Sequence, residues 1–139
     1  MLKATLFIAL LTLSGPNPTR PTEYGCFDYE RDTVKLSGTI LTHVFPGPPN
    51  YESVAKGDAR EQAWVLQLSK PICTSASADI EAEKDVRDLQ LVFPEGQKQY
   101  DEYRSWKGRR VVVTGTLFHA ETGHHHTKVL LTVTDIKKL

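Results

Sequence analysis

Alternating hydrophobic and polar residues over 33–44, TVKLSGTILTHV, predict the first β-strand of the chain. Successive side chains in a strand point to opposite faces, so Val34, Leu36 and Ile40 share one face and predict a half-buried strand. Four further runs rich in β-branched and apolar residues predict strands at residues 63–68, 89–93, 109–119 and 129–136.

The period of the pattern changes over residues 97–107. Tyr100, Tyr103 and Trp106 recur every three residues with charges between them, and Gly108 stands where a helix often ends on a glycine. This spacing predicts a short helix with its aromatic residues in the core. Three strands, a helix and two strands form the element order of an OB fold. The prediction is therefore a mainly β, five-stranded OB-like barrel with one short helix between strands 3 and 4.

The first and fourth predicted strands resemble each other, which suggests that they are neighbours in the barrel. Each has a glycine in its interior, as a strand needs where a small barrel bends. The matched residues, 77 positions apart, are Val34, Leu36, Gly38, Thr39 and Ile40 with Val111, Val113, Gly115, Thr116 and Leu117.

Two connecting segments separate the early strands. The first, FPGPPNYESVAKGDARE, has three prolines and two glycines and predicts a long ordered loop or an extended edge. Within it Pro48, Pro49, Asn50 and Tyr51 are candidates for a rigid recognition loop, and the alternative is a stiff connector that covers an edge strand. The second strand is predicted to stop at Lys70–Pro71. Polar residues 74–88 then predict a loop with room for one helical turn.

The N-terminus predicts export. A basic start precedes ten apolar or near-apolar residues at 4–13, a run too short to span a bilayer but typical of a signal peptide. The alternative is a buried N-terminal strand or helix. We predict a signal peptide over 1–14, a flexible lead-in over 15–32 and a domain over 33–139. A lipoprotein would need a cysteine where Pro16 stands, so we expect a periplasmic or secreted protein that is not membrane-anchored.

The charge balance disfavours one class of partner. The full chain has 17 basic and 17 acidic residues, and removing Lys3 with the leader leaves 16 against 17, a net charge near −1. Binding to phosphates requires a surplus of Lys and Arg. Nucleic acid is therefore not expected as a partner.

Cys26 and Cys73 are the two cysteines of the chain. An even number of cysteines in an exported protein predicts a disulfide. Closing the long loop between them would stabilise the fold by about 4 kcal/mol in the chain-entropy model. Neither residue belongs to a CxxC motif, so a redox or metal role is disfavoured.

The connection between the last two strands holds the candidate chemistry. His119, His124, His125 and His126 lie within eight residues, with Glu121 among them. Imidazoles are ligands for Zn and Cu, and the expected set is His119 with two of the three consecutive histidines, preferably His124 and His126, completed by water or Glu121. The alternatives are structural imidazoles that cap the turn and a proton sensor.

A family resemblance rests on three stretches, PGPPNYESVAKGD, WVLQLSKPIC and VVVTGTLFHAETGHHHT. They resemble a family of small exported bacterial proteins of unknown function, marked by a GTL strand (115–117) and an HHT turn (125–127). The resemblance covers about the last two thirds of the chain. It implies a bacterial, exported domain and assigns no catalytic residue.

Enzymatic motifs are not evident in the sequence: there is no GxSxG, and no spacing pairs a loop histidine with Glu121 or Asp58 for acid–base work. We therefore expect a non-catalytic exported binding module for a protein or small-molecule ligand. The alternatives are a metal-binding protein that uses the histidine loop and an inhibitor or immunity protein against an exported toxin.

Overall fold

The computed structural model describes residues 25–139, and most of the regular structure in them is β. The strands are β1 (Thr33–Pro46), β2 (Arg60–Thr74), β3 (Glu83–Val92), β4 (Arg110–His119) and β5 (Val129–Lys138), and the helix is α1 (Gln97–Glu102). The prediction of a mainly β chain with five strands and one short helix is confirmed. The predicted signal peptide and the lead-in up to residue 24 lie outside the described residues.

The five strands form a ring of hydrogen-bonded neighbours in the order β1-β2-β3-β5-β4. Strand β1 pairs antiparallel with both β2 and β4, which closes the ring, and β3 and β5 pair in parallel. The predicted pairing of the first and fourth strands is confirmed: Val34 lies opposite Gly115, and Gly38 lies opposite Val111.

Alternation along the strands gives the ring a hydrophobic interior. The core cluster includes Val111, Val113 and Leu117 of β4. Its largest fully buried side chains also include Ile40, Leu66, Leu89, Leu91 and Leu131. Ala63, Val65 and Leu130 are also buried but lie outside that cluster. Since Ala63 and Val65 alternate with the core residues Trp64 and Leu66, they belong to the outer face of β2. Part of the outer face is therefore covered.

The segment before β1 is part of the folded unit. Cys26 and Cys73 form the predicted disulfide, across a sequence separation of 47. The N–H of Phe27 donates to the carbonyl of Cys73 at 2.9 Å, and Tyr29 is buried with its hydroxyl 2.7 Å from that of Thr74. The disulfide therefore holds this segment, the last part of the predicted lead-in over 15–32, against the end of β2.

Strands β2 and β3 are longer than their patterns predicted. Strand β2 continues through Pro71 to Thr74, and β3 begins at Glu83 within the segment predicted as a loop. The β2–β3 register shifts between Gln67 and Ile72, and again between Ile72 and Thr74. Pro71 is tolerated in such an irregular stretch because no regular ladder bond needs its missing N–H. The same irregularity disrupts the alternation by which a strand is recognised.

The helix is shorter than predicted. Its α-helical part ends at Glu102, and a 3-10 turn follows at Arg104–Trp106. Gly108 has a φ of 76° and donates its N–H to the carbonyl of Ile40 at 2.7 Å, which directs the chain into β4. Of the predicted core aromatics, Tyr103 is buried, and Tyr100 and Trp106 are partly buried against the core. Within residues 25–139 no helix has the length and apolar character needed to cross a membrane.

Candidate functional site at Glu61

The carboxylate of Glu61 is the centre of the candidate site. Glu61 is the second residue of β2 and lies directly opposite Phe45 of β1. Directly opposite residues of an antiparallel pair share one face, and alternation with Trp64 places that face outside the ring. Glu61 and Phe45 therefore stand side by side on the outer surface of the sheet.

Both oxygens of Glu61 accept hydrogen bonds from imidazoles of the β4–β5 loop (residues 120–128). Nδ1 of His124 lies 2.7 Å from Oε1, and Nε2 of His126 lies 2.8 Å from Oε2. The His126 side chain is 7% exposed and its ring stacks on Phe45 at 4.6 Å, whereas the His124 side chain is 64% exposed. His124 and His126 thus share one partner, a carboxylate that the sequence did not single out.

Tyr51 of the β1–β2 loop (residues 47–59) also reaches His124. Its hydroxyl lies 3.4 Å from Nε2 of His124, and the two rings meet edge to face at 5.5 Å. A carboxylate only accepts hydrogen bonds, so Nδ1 of His124 carries a proton that it donates to Glu61. The Tyr51 ring also covers Gly123, where an added Cβ would lie 2.9 Å from it. The two candidate loops of the sequence therefore form one site. We call Phe45, Tyr51, Glu61, His124 and His126 the Glu61 cluster.

Asp58 organises the β1–β2 loop from within. Its carboxylate accepts hydrogen bonds from the backbone N–H groups of Asn50, Glu52 and Ser53 at 2.8–3.0 Å. The bonds from Ser53, Glu52 and Asn50 hold the pKa of Asp58 below its ordinary value. Tyr51 adopts a left-handed φ of 57° between them. Asp58 thus shapes the loop, and the structure does not place it beside a histidine as an acid–base partner.

Gln90 of β3 fixes the β4–β5 loop on the outer face. Its Oε1 accepts from the N–H of His126 at 2.6 Å, and its Nε2 donates to the carbonyl of His124 at 3.0 Å. Gln90 lies beside Val65 of β2 and Leu130 of β5. The loop therefore crosses the sheet at the point where Val65 and Leu130 are buried outside the main core.

His125 contacts the backbone of its own turn and the ring of Phe118. Its Nδ1 accepts from the N–H of Glu121 at 2.9 Å, and its ring meets Phe118 edge to face at 5.3 Å. Because Nδ1 is an acceptor here, the ring proton lies on Nε2. In the described structure, Glu121 contacts His125 through its backbone N–H and not through its carboxylate.

His119 lies in a different cluster, so the predicted metal set is not assembled. Its Nε2 lies 3.2 Å from Oε1 of Glu83, whose other oxygen is 3.4 Å from Nζ of Lys128. The hydrogen bond from His119 is the main cause of the lowered pKa of Glu83. In the part of the chain that the structure describes, no group of three or more His, Cys, Asp or Glu residues is arranged to hold a metal ion. The metal set of His119, His124 and His126 therefore stays a prediction, and in this structure the His119 side chain is directed to Glu83 of β3.

Electrostatics favour the ionised form of Glu61. Its partial burial would raise the pKa, but the hydrogen bonds from His126 and His124 outweigh burial and leave the pKa below the ordinary value. The cluster therefore has a negative carboxylate between two imidazoles near neutral pH. Such an arrangement binds the β4–β5 loop to the start of β2 and orients the exposed ring of His124.

Sequence reasoning missed Glu61, Gln90 and Phe45. A usable signal was present for Glu61: extending the alternation of AWVLQL two residues toward the N-terminus places it on the face opposite Trp64. Its pairing with Phe45 and the histidines depends on strand register, which local sequence does not reveal.

One family of known proteins is similar to part of this chain. The family described as Domain of unknown function (DUF4431) matches residues 88–137, which include the end of β3, β4, the β4–β5 loop and most of β5. No curated protein matches the chain. The matched segment contains His124 and His126 but not Tyr51 or Glu61. The chain is thus similar to this family over the half of the site that carries the histidines.

Proposed function

We propose that the protein is an exported, non-catalytic binding module built on an OB-like barrel. Its binding surface is formed by the β1–β2 loop and the β4–β5 loop together. The closed strand order and the helix that follows β3 support the OB-like assignment, and in OB folds these two loops flank the binding face. The observation that carries the proposal is the contact of Tyr51 with His124 above Glu61, because it joins both loops into one surface.

The chemistry of this surface favours a protein partner. Pro48, Pro49 and Asn50 form an exposed loop tip. His43 is exposed and stacks on Phe45 at 5.9 Å. Protein interfaces are enriched in aromatic residues within a polar rim. The chain has no surplus of basic residues for nucleic acid.

Export is a separate part of the proposal. The apolar run at 4–13 supports it, and a disulfide between Cys26 and Cys73 is typical of an oxidising compartment. N-terminal sequencing of the protein from cell fractions tests it. We expect a mature N-terminus near Gly15 in the periplasmic or secreted fraction, and an intact Met1 in the cytosol would contradict export.

Site-specific photo-crosslinking in the native cell tests the binding surface. A benzophenone amino acid at Asn50 is expected to give a discrete protein adduct, whereas the same group at Lys137, an exposed side chain at the end of β5, is not. The adduct at Asn50 should weaken in a Glu61→Gln background because that variant loosens the contact between the loops. Equal labelling from Asn50 and Lys137, or no adduct at Asn50, would reject the proposed surface.

Two measurements separate the remaining alternatives: the identity of the crosslinked partner, and the melting temperature with added metal. An exported toxin as the crosslinked partner would identify the inhibitor or immunity class. A metal-binding protein would instead show a rise in melting temperature with Zn²⁺ or Cu²⁺ by mass action on the folded state. Its predicted ligand set lacks support in the geometry, because His119 contacts Glu83 and not the Glu61 cluster.

A further inference from the structure

An open cavity of about 300 Å³ lies between β2 and the helical segment, apart from the Glu61 cluster. It is lined by Gln62, Trp64, Gln97, Tyr100, Arg104 and Lys107. Gln62 follows Glu61 in the chain, but alternation in β2 directs the two side chains to opposite faces of the sheet. The cavity therefore shares no lining residue with the surface proposed above.

The polar side chains that line the cavity are all hydrogen-bond donors, and none is a carboxylate. The two amides, the phenol and the indole can each donate a hydrogen bond, and Arg104 and Lys107 add positive charge. Arg104 is already paired with Asp101, which lies outside the lining. Lys107 has no ion pair among residues 25–139 and holds its Nζ 5.4 Å from the centre of the Trp64 ring. Gln97 also donates its amide N–H to Asp101, so the ammonium of Lys107 is the lining charge that a bound anion would meet without a competing carboxylate.

Aromatic packing keeps the apolar wall of the cavity in place. Trp64 is 8% exposed and meets Phe93 and Tyr100 edge to face, with ring centres 5.4 and 5.2 Å apart. Burial raises the pKa of Tyr100, so the phenol remains protonated near neutral pH. The wall is therefore rigid and neutral, while the charged side chains stand at the rim.

We propose that this cavity binds a small organic anion, a carboxylate or phosphate carried on a flat apolar group. Lys107 and Arg104 contact the anionic group, and Tyr100 and the exposed edge of Trp64 contact the flat group. The volume falls at the lower end of the range for small-molecule sites. Contact between Lys107 and Trp64 keeps the ammonium group at the rim, where an incoming anion meets it.

Fluorescence of Trp64 offers a direct measurement of ligand binding in the cavity. Trp64 and Trp106 are the two tryptophans of the chain, so Trp106→Phe leaves a single reporter in the cavity wall. Benzoate and phenyl phosphate are expected to change its emission with saturation. Neutral benzamide and inorganic phosphate should bind at least about tenfold more weakly, because each lacks one of the two contacts. Calorimetric titration of the unsubstituted protein with the same four compounds guards against an effect of Trp106→Phe on folding.

Variants that remove one positive charge from the helical segment, inside or outside the cavity lining, test the role of charge in binding. Lys107→Gln and Arg104→Gln should each weaken benzoate binding about tenfold. Lys98→Gln removes the same charge from a side chain that is paired with Glu95 and does not line the cavity, and it should leave binding unchanged. Equal binding by Lys107→Gln and Lys98→Gln, or benzamide binding as tightly as benzoate, would overturn the proposal. Whichever of benzoate and phenyl phosphate binds more tightly identifies the anionic group.

Discussion

The imidazole of His126 donates its Nε2–H to Oε2 of Glu61 over 2.8 Å, and this bond joins the β4–β5 loop to the start of strand β2 across 65 residues of sequence. The His126 ring is almost fully buried by its stack on Phe45, while the Glu61 side chain is 23% exposed. A charge-assisted hydrogen bond in such surroundings is stronger than one at a free surface. Glu61 therefore holds the β4–β5 loop against the start of β2 and positions His124 beside Tyr51 of the β1–β2 loop.

Replacing Glu61 with Gln should destabilise the protein by about 1–3 kcal/mol, because the amide cannot accept both imidazole N–H groups and loses the charge that strengthens them. Urea unfolding of the two proteins measures the difference. Glu121→Gln is the control, since the Glu121 contact to the loop runs through its backbone N–H. A Glu61→Gln variant as stable as Glu121→Gln would show that the cluster contributes nothing to stability.

The two histidines on Glu61 should contribute unequally. His126→Ala removes a buried, stacked ring and its hydrogen bond, and we expect a loss of about 2–3 kcal/mol. His124→Ala removes an exposed ring, and we expect a loss below about 1 kcal/mol. Chemical denaturation of both variants tests this order, and a larger loss for His124→Ala would contradict the burial difference between them.

Acid should weaken the protein through Glu61. Its pKa is lower in the folded protein than in the unfolded chain, so the unfolded chain takes up the proton first as the pH falls. The stabilisation is fully present above about pH 5, above the ordinary Glu pKa, and is lost as the pH falls through the lower folded pKa. The stability difference between the unsubstituted protein and Glu61→Gln should therefore shrink between about pH 5 and pH 3. A difference that stays constant over this range in urea titrations would exclude the carboxylate charge as its source.

Local pattern was sufficient for the strands that keep regular alternation. It located β1, β4 and β5 to within two residues at each end, and the shared glycine motif identified β1 and β4 as neighbours. It failed where the register shifts, since β2 beyond Leu68 and the start of β3 have no continuous alternation. The pattern of a strand reports its own burial and not the irregularities of its pairing.

The candidate site shows the same division. The four histidines within eight residues made His124 and His126 candidate site residues, and the prolines of the β1–β2 loop made Tyr51 a candidate. Their common partner Glu61 is 63 residues from His124 and was not predicted. Which residues meet across a closed sheet is decided by register and closure, and neither is encoded in one segment alone.

The disulfide should contribute about 2–5 kcal/mol to stability, as expected for a bridge that closes a long loop. Cys73→Ser and the double variant with Cys26→Ser should lose similar amounts, because either change removes the same cross-link. Denaturation of the oxidised protein and both variants measures the effect. A Cys73→Ser variant with the stability of the oxidised parent would contradict it.

Gly115 should not tolerate any side chain. A Cβ built on it would lie 2.1 Å from the carbonyl oxygen of Thr132 in β5, and one on Gly38 would lie 2.3 Å from the carbonyl oxygen of Gln67 in β2. Both obstacles are backbone atoms of paired strands, which cannot withdraw without breaking the ladder. Alanine at either position should therefore cost at least about 3 kcal/mol or prevent folding, although alanine is the better strand residue by intrinsic propensity.

Thr116→Ala is the matched control for Gly115→Ala, because it places the same residue one position further along β4, on the opposite face. Lost cross-strand packing at Thr116 should cost less than about 1 kcal/mol. Thermal and urea unfolding of Gly115→Ala, Gly38→Ala and Thr116→Ala show whether the loss of stability comes from a steric clash at the glycines or from any substitution in these strands. If Gly115→Ala unfolds at the same temperature and urea concentration as Thr116→Ala, β4 and β5 must be able to separate locally. The close approach at Thr132 is then not what requires glycine. If both glycine variants fail while Thr116→Ala folds, close contact of neighbouring strands explains why the two matched segments share a glycine.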